Sequence, residues 1–240
     1  MYVKITNRCN LRCAHCAYSC TIEGQDMTMT TFENTCHFYN SLLVKDAMVL
    51  GGGEPTLNHL FPHFVRRCKR HNIFPQLTMN GVDEHRTMRI ARLFDAGFIE
   101  GAMLGYTPLH RAEHRRLGIR YSEKVLERFE NTEDKMKGDS FIWGHGLLTG
   151  NLNPVVISKV GRARTLKNAT EECLADDMLI EPNGIIRACL CPNGQVIGNV
   201  NDLDFNKRYK FVATSKGKRG CERGELICHK EIFFSAREKI

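Results

Sequence analysis

Three cysteines near the start of the chain, Cys9, Cys13 and Cys16, follow the spacing C-x3-C-x2-C within MYVKITNRCNLRCAHCAYSC. Thiolates are soft ligands that suit zinc and iron–sulfur clusters. A structural zinc site closes on four ligands, and Cys20 is the nearest fourth. A four-iron cubane held by three thiolates instead leaves one iron without a protein ligand, open to a small chelating molecule. A second group, Gly51-Gly52-Gly53-Glu54-Pro55, follows the apolar run DAMVL. Glycines allow a ligand close to the backbone, and Glu54 offers a carboxylate to an ammonium group.

These two groups need a scaffold that brings their loops together. Tyr2–Thr6 reads as a strand running into the cysteine loop, and Asp46–Leu50 as a short buried strand ending in GGGEP. Between them Thr30-x-x-Glu33 has the form of a capping box, opening a helix to about Leu42. Leu57–His71 is helical in pattern, and Phe74–Met79 is the next strand, closed by Asn80-Gly81. Asp83–Ala96 reads as a helix with Gly97 at its C-cap. Phe98–Tyr106 reads as a strand, Ser122–Glu133 as a helix and Phe141–Leu148 as a strand. The alternation predicts an α/β fold with a parallel sheet and right-handed crossovers, a barrel or part of one. Ligands of such sheets collect at the C-terminal strand ends, where both loops should lie. After about Lys167 the texture changes to short strands, Asn-Gly turns and clustered cysteines. Two domains are therefore expected, 1–167 and 168–240.

Composition bounds the function. The chain has 240 residues, 42% hydrophobic and 25% charged, enough for a buried core. No apolar run is long enough to span a bilayer, and no secretory leader is evident, so no membrane partner is expected. Eleven cysteines in such a chain read as metal ligands and thiols of a reducing compartment, which predicts a cytoplasmic protein. The net charge of +7 counts thiols as neutral. Seven metal-bound thiolates with two four-iron cores would leave roughly +4. The runs Arg66-Arg67-Cys68-Lys69-Arg70 and Lys216–Arg223 read as solvated surface ahead of nucleic-acid contact. Cys20, Cys36 and Cys68 read as core or surface thiols, and His110 and His114 as a solvated basic face. Tyr106 and Trp143 read as core packing ahead of cavity lining.

The paired motifs resemble those of the radical S-adenosylmethionine (radical SAM) enzymes over roughly residues 2–160. Cys9-x3-Cys13-x2-Cys16 is similar to the family's cluster motif, and Gly52-Gly53-Glu54-Pro55 to its methionine-binding motif. The resemblance implies a [4Fe-4S] cluster whose fourth iron is chelated by the methionine amine and carboxylate of S-adenosyl-L-methionine. His15 matches the usually aromatic position against the adenine, Gly51 precedes the motif, and Asn80 fits the cavity rim. The implied reaction is reductive cleavage of S-adenosylmethionine to a 5′-deoxyadenosyl radical that abstracts a substrate hydrogen. A flavodoxin or ferredoxin would supply the electron.

The C-terminal region carries a second resemblance. Cys173, Gly184 and Cys189 match the C-x9-15-G-x4-C element of SPASM and twitch extensions in the same superfamily. Hairpins are expected on Pro182-Asn183-Gly184 and Pro192-Asn193-Gly194. Cys221 and Cys228 complete a candidate auxiliary [4Fe-4S] ligand set with Cys173 and Cys189, and Cys191 is a rival fourth ligand. The full seven-cysteine SPASM pattern is absent, so a partial (β/α) barrel with a small twitch-like β-hairpin/α domain is expected. No catalytic residue is singled out. The expected substrate is a peptide or small metabolite, with a nucleotide or nucleic-acid base as the alternative. A zinc-binding nucleic-acid recognition module is the reading of another class, and GGGEP at a strand end speaks against it.

Overall fold

Val3 and Ile5 are wholly buried in the core beneath the helices, and the intervening Tyr2, Lys4 and Thr6 point to the opposite face of β1 (Tyr2–Thr6). This strand is the centre of the fold. The computed structural model describes residues 1–42, 45, 47–105, 108–130, 141–144, 162, 165, 178–187, 190–192, 194, 196–202, 209–213 and 232–236. Beside β1 lie β2 (Val49–Gly52), β3 (Gln76–Met79) and β4 (Gly101–Leu104), each parallel to its neighbour. Helices α1 (Met29–Ser41), α2 (Phe61–Arg70) and α3 (Glu84–Asp95) make the crossovers. Their buried positions recur at helical spacing: Phe61, Phe64, Val65 and Cys68 on α2, and Thr87, Ile90 and Ala91 on α3. Phe32 of α1 stacks on Phe64 of α2 with ring centroids 4.2 Å apart. Cys36 and Cys68 are buried in the same layer, as core thiols.

Three local expectations change. The N-cap of α1 is Thr28, whose hydroxyl accepts from Thr31 N, so the helix starts before the expected Thr30 capping box. Glu33 is thereby released from capping. The segment from Pro55 to His71 is a short 3-10 turn (Pro55–Leu57) and then α2, because Pro62 sits in the first turn of the helix. The strand β5 (Phe141–Gly144) runs antiparallel to β4, with Leu104 opposite Phe141. A regular parallel continuation was expected. The connection contains two helices, α4 (Pro108–Arg116) and α5 (Glu123–Glu130), and returns the chain to the strand end it left.

On the other edge, β6 (Leu179–Ile180) pairs parallel with β1 and extends the same sheet. β7 (Ile185–Arg187) and β8 (Val196–Asn199) follow antiparallel, through the two expected turns. Gly184 takes φ 87 in the first turn, and Gly194 N donates to Cys191 O in the second. A buried ion pair fastens this hairpin to the core: Lys4 Nζ lies 2.7 Å from Glu181 Oε2, and Arg187 Nε 3.1 Å from Glu181 Oε1. β9 (Tyr209–Ala213) and β10 (Ile232–Ala236) form a separate antiparallel pair. Cys173, Cys189, Cys221 and Cys228 lie outside the described residues, as does Tyr106; Trp143 sits in β5 opposite Ala102. Among the described residues, no helix is long and apolar enough to cross a membrane. The result is a mixed α/β fold with an open, partial-barrel sheet.

Candidate active site

The loop after β1 is folded back on itself rather than extended. Cys9 N donates to Thr21 O (2.7 Å), Asn7 N to Gln25 O (2.8 Å) and Met27 N to Ile5 O (2.9 Å). Asp26 closes its base, accepting from Thr6 Oγ1 and pairing with Arg8 Nη1 at 3.2 Å. Inside this frame Cys9, Cys13 and Cys16 line one cavity of about 360 Å³ with Gly52, Gly53, Asn80, His15 and His110. Cys20 lines it as well, next to Cys16, so this thiol belongs to the cavity wall. Tyr2 and Thr78, bonded through their hydroxyls at 3.0 Å, also line it.

The glycine-rich loop after β2 is fitted directly onto the cysteine loop. Gly53 N donates to Thr6 O and Glu54 N to Arg8 O, both at 2.8 Å. Gly52 has φ 106, which side chains rarely adopt, and a Cβ on Gly53 would collide with the Arg8 carbonyl. Gly51 lies in β2 beneath the Tyr2 hydroxyl, which accepts from Gly52 N at 2.9 Å. Pro55 opens the 3-10 turn. Glu54 is buried, and its carboxylate ties the rim together. Oε1 accepts from Thr56 Oγ1 (2.6 Å) and Oε2 from Asn80 N (2.8 Å), which leaves lone-pair capacity for an ammonium donor. Burial raises its pKa above the ordinary carboxylate value.

Asn80, at the end of β3, reaches the cysteine loop through Nδ2, 2.7 Å from Asn10 Oδ1 and 3.7 Å from Cys9 Sγ. The loop is held from two further places that sequence reasoning did not find. Arg162 donates from Nε to Cys13 O (3.0 Å), from Nη1 to Cys20 O (2.9 Å) and from its main chain to Cys16 O (3.1 Å). Glu113 of α4 accepts from Arg12 N at 2.9 Å and takes a two-pronged contact from Arg116 at 2.8 Å. That arginine bond holds the Glu113 pKa below the ordinary value. Neither residue belongs to a spacing motif, so only the tertiary structure reveals them.

His110 and His114 are on a helix, but not on a solvated face. His114 is buried and stacks on Tyr121 with centroids 3.9 Å apart. His110 turns toward the cavity and meets His15 edge-on at 4.4 Å. Burial lowers His15 to a pKa of about 4 and His110 to about 3, so both rings are neutral at physiological pH. Nδ1 of His15 is buried without a hydrogen-bond partner, an atom suited to a bound ligand.

The donor set fits a cationic metal cluster. Burial raises the Cys9 pKa to about 11 and that of Cys13 to about 12, and neighbouring thiolates push the same way. Cys16 is lowered to about 5 by its hydrogen bond with Cys20. Desolvation therefore opposes ionisation at Cys9 and Cys13 above all, and the positive charge of iron held by the three thiols would offset it. The hairpin approaches this loop from the far side. Tyr18 donates to Leu190 O at 3.0 Å and lies under Lys4 Nζ, 4.3 Å from its ring centroid. Cys191, the rival auxiliary ligand, is buried beside that contact in sequence.

Comparison with known proteins finds relatives in sequence and in fold. The chain is 24% identical over 168 residues to a probable GTP 3′,8-cyclase of Pyrococcus horikoshii, covering 64% of this chain and 53% of that one. It thus spans about half the length of that curated relative. A crystal structure of BtrN in complex with AdoMet and 2-DOIA superposes with a TM-score of 0.52 at 18% identity, over 86% of this chain and 79% of the other. Native anSMEcpe with bound AdoMet gives 0.42 at 16% identity, over 84% and 78%. Residues 3–150 match the family model of the Radical SAM superfamily. With three cysteines and a glycine-rich loop on one cavity and that match across more than half its length, the chain belongs to the Radical SAM superfamily.

Proposed function

We propose that this enzyme reductively cleaves S-adenosylmethionine and uses the outcome to remove a hydrogen atom from a peptide or small-metabolite substrate. Its cofactors are a [4Fe-4S] cluster and S-adenosylmethionine. The observation that carries the reading is the joining of the Cys9–Cys16 loop to the Gly51–Pro55 loop, whose Gly52 and Gly53 line the same cavity as the cysteines. When bound, the cofactors supply the electron and the C–S cleavage that lead to hydrogen abstraction. Cys9, Cys13 and Cys16 would hold the cluster. The backbone of Gly51–Gly53 and the carboxylate of Glu54 would orient the methionine end. Asn80 secures the rim, and neutral His15 presents a ring and an unsatisfied nitrogen to the adenine. His110 closes the cavity beside it and keeps water from the reacting carbon.

Residues 168–240 are read as a twitch-like domain whose auxiliary [4Fe-4S] cluster takes or relays an electron. Cys173 and Cys189 with Cys221 and Cys228 are its ligands, and Cys191 is the competitor. The fold match to BtrN extends over 86% of this chain, beyond the residues 3–150 of the family model. An electron donor such as flavodoxin or ferredoxin and a cytoplasmic setting complete the reading. A second substrate class, a nucleotide, is favoured by the GTP 3′,8-cyclase relative.

The test is anaerobic reconstitution followed by assay of 5′-deoxyadenosine. Wild-type protein should form it under reducing conditions, and Cys13→Ala should form none while keeping its helical circular dichroism. Retained cleavage by that variant would remove the cluster assignment. Deuterium transfer from labelled candidate metabolites, peptides and nucleotides into 5′-deoxyadenosine separates the substrate classes.

A further inference from the structure

Glu33 and His37 are four residues apart on α1 and share its outer face, and His71 caps the C-terminus of α2 beside them. Nε2 of His71 is 2.9 Å and Nε2 of His37 is 3.4 Å from the same oxygen, Glu33 Oε1. The three donor atoms all lie within 4.8 Å of one another, and the two imidazoles meet edge to face at 4.8 Å. We propose that these three side chains form a binding site for a divalent transition metal of the zinc type, separate from the cysteine cavity.

The chemistry and the geometry both point that way. Two imidazoles and one carboxylate oxygen are a borderline-soft donor set that suits zinc or cobalt, while magnesium and calcium prefer all-oxygen sites. Ligand bonds of about 2.0–2.2 Å in a tetrahedron place donor atoms roughly 3.3 Å apart. The two measured His–Glu separations bracket that spacing. His37, with its side chain 62% exposed, can swing to close the set.

Both helices hold their ligands without help from an ion. The Phe32–Phe64 stack fixes α1 against α2. His71 N donates to Arg67 O and Cys68 O, its carbonyl accepts from Asn40 Nδ2 at 3.1 Å, and Asn72 follows in a left-handed conformation at φ 55. Arg67 Nε pairs with the other carboxylate oxygen, Glu33 Oε2, at 2.9 Å. That contact leaves Oε1 as a single, oriented ligand, as outer groups do at metal sites. Three protein ligands leave a fourth position facing solvent. The early start of α1 at Met29, which frees Glu33 from capping, is what makes the carboxylate available.

Helices of a parallel α/β sheet run opposite to the strands, so the C-terminus of α2 lies at the end away from the cysteine cavity. An ion there would staple α1 to α2 without entering the reaction. The test uses the full-length, anaerobically reconstituted protein titrated with Co²⁺. One equivalent per chain should give visible d–d absorption without the sulfur-to-cobalt charge-transfer band that thiolate ligation produces. His37→Gln and His71→Gln should each weaken that binding at least about tenfold, with cluster iron unchanged, and Zn²⁺ should compete. Zn²⁺ should also raise the unfolding temperature of the wild type but not of His37→Gln, whose exposed position keeps the fold safe. Absence of the d–d absorption, or equal titration of wild type and His37→Gln, overturns the site. Loss of 5′-deoxyadenosine formation has no bearing on these readouts, so failure here and failure of the proposed reaction are told apart.

Discussion

Two side-chain bonds from one guanidinium, to Cys13 O and Cys20 O, span the stretch of loop that carries two of the three proposed cluster ligands. Arg162→Gln keeps the main-chain bond to Cys16 but loses both, and with them about 2 kcal/mol of loop stability. The variant should retain less iron after desalting. Its cluster should also have a lower reduction potential in a redox titration, since a neighbouring positive charge has gone. Arg162→Lys returns the charge without the fork, so the potential should recover more fully than the iron content. Unchanged iron and potential in Arg162→Gln would show the guanidinium to be idle. Glu54→Ala is a sharper probe of the cofactor edge. It removes the proposed ammonium partner and leaves the Asn80 N–H without its acceptor. Binding of S-adenosylmethionine, measured by calorimetry, should weaken while cluster iron remains. Unchanged affinity would show that the backbone alone holds the methionine end.

At the scale of elements, the join between the cysteine loop and the glycine loop has no room for a side chain. Gly53→Ala must push the two loops apart, because the obstacle is the Arg8 main chain rather than a flexible tip. Gly118, at φ 67 and with open space where a Cβ would go, is the contrasting case of backbone strain without a clash, at about 1 kcal/mol. Thermal melts should therefore show a clearly larger loss for Gly53→Ala, accompanied by loss of 5′-deoxyadenosine formation that Gly118→Ala does not share. Equal melts would mean the loops can slide. α4 contributes differently, through Glu113 on Arg12 N. Its folded-state pKa is depressed, so its contribution is present above the ordinary carboxylate value and disappears as pH falls through the lower folded value. Glu113→Gln should flatten the acid side of the stability profile.

This helix was the element hardest to read in advance. PLHRAEHRR lacks an apolar stripe, and what it buries is Glu113 and His114, held by an arginine bond and a tyrosine stack. Polar residues that are buried because of tertiary partners leave no hydrophobic period to detect. Strands β1 to β4 and the Asn-Gly turn at Gly184 were legible because backbone sterics and apolar runs set them locally.

For the molecule as a whole, the cysteine and glycine motifs could be read from spacing, whereas the attachment of the C-terminal hairpin could not. That attachment rests on Lys4, Glu181 and Arg187, three charges whose pairing appears only when β6 docks on β1. Removing one partner of a buried pair costs about 3–5 kcal/mol where the other charge is stranded, and less at Lys4, because Glu181 keeps Arg187. Lys4→Met should therefore destabilise the enzyme by less than that full cost, and Glu181→Leu, which takes the carboxylate from both Lys4 and Arg187, should lower the unfolding temperature more. The hairpin in turn carries the proposed second cluster, and iron counting tests it. A four-ligand cluster in residues 168–240 predicts about eight irons per chain after reconstitution. Replacing Cys9, Cys13 and Cys16 together by alanine should leave about four. The remaining cluster should not respond spectroscopically to S-adenosylmethionine, since four protein thiolates leave no open iron. Adding Cys191→Ala should then preserve it, and adding Cys221→Ala should remove it. The opposite pattern would transfer the fourth position to Cys191, which the Tyr18–Leu190 contact already holds close to the cysteine loop. A triple variant that binds one zinc and no iron would end the auxiliary redox role and leave a single-cluster enzyme with a structural zinc hairpin.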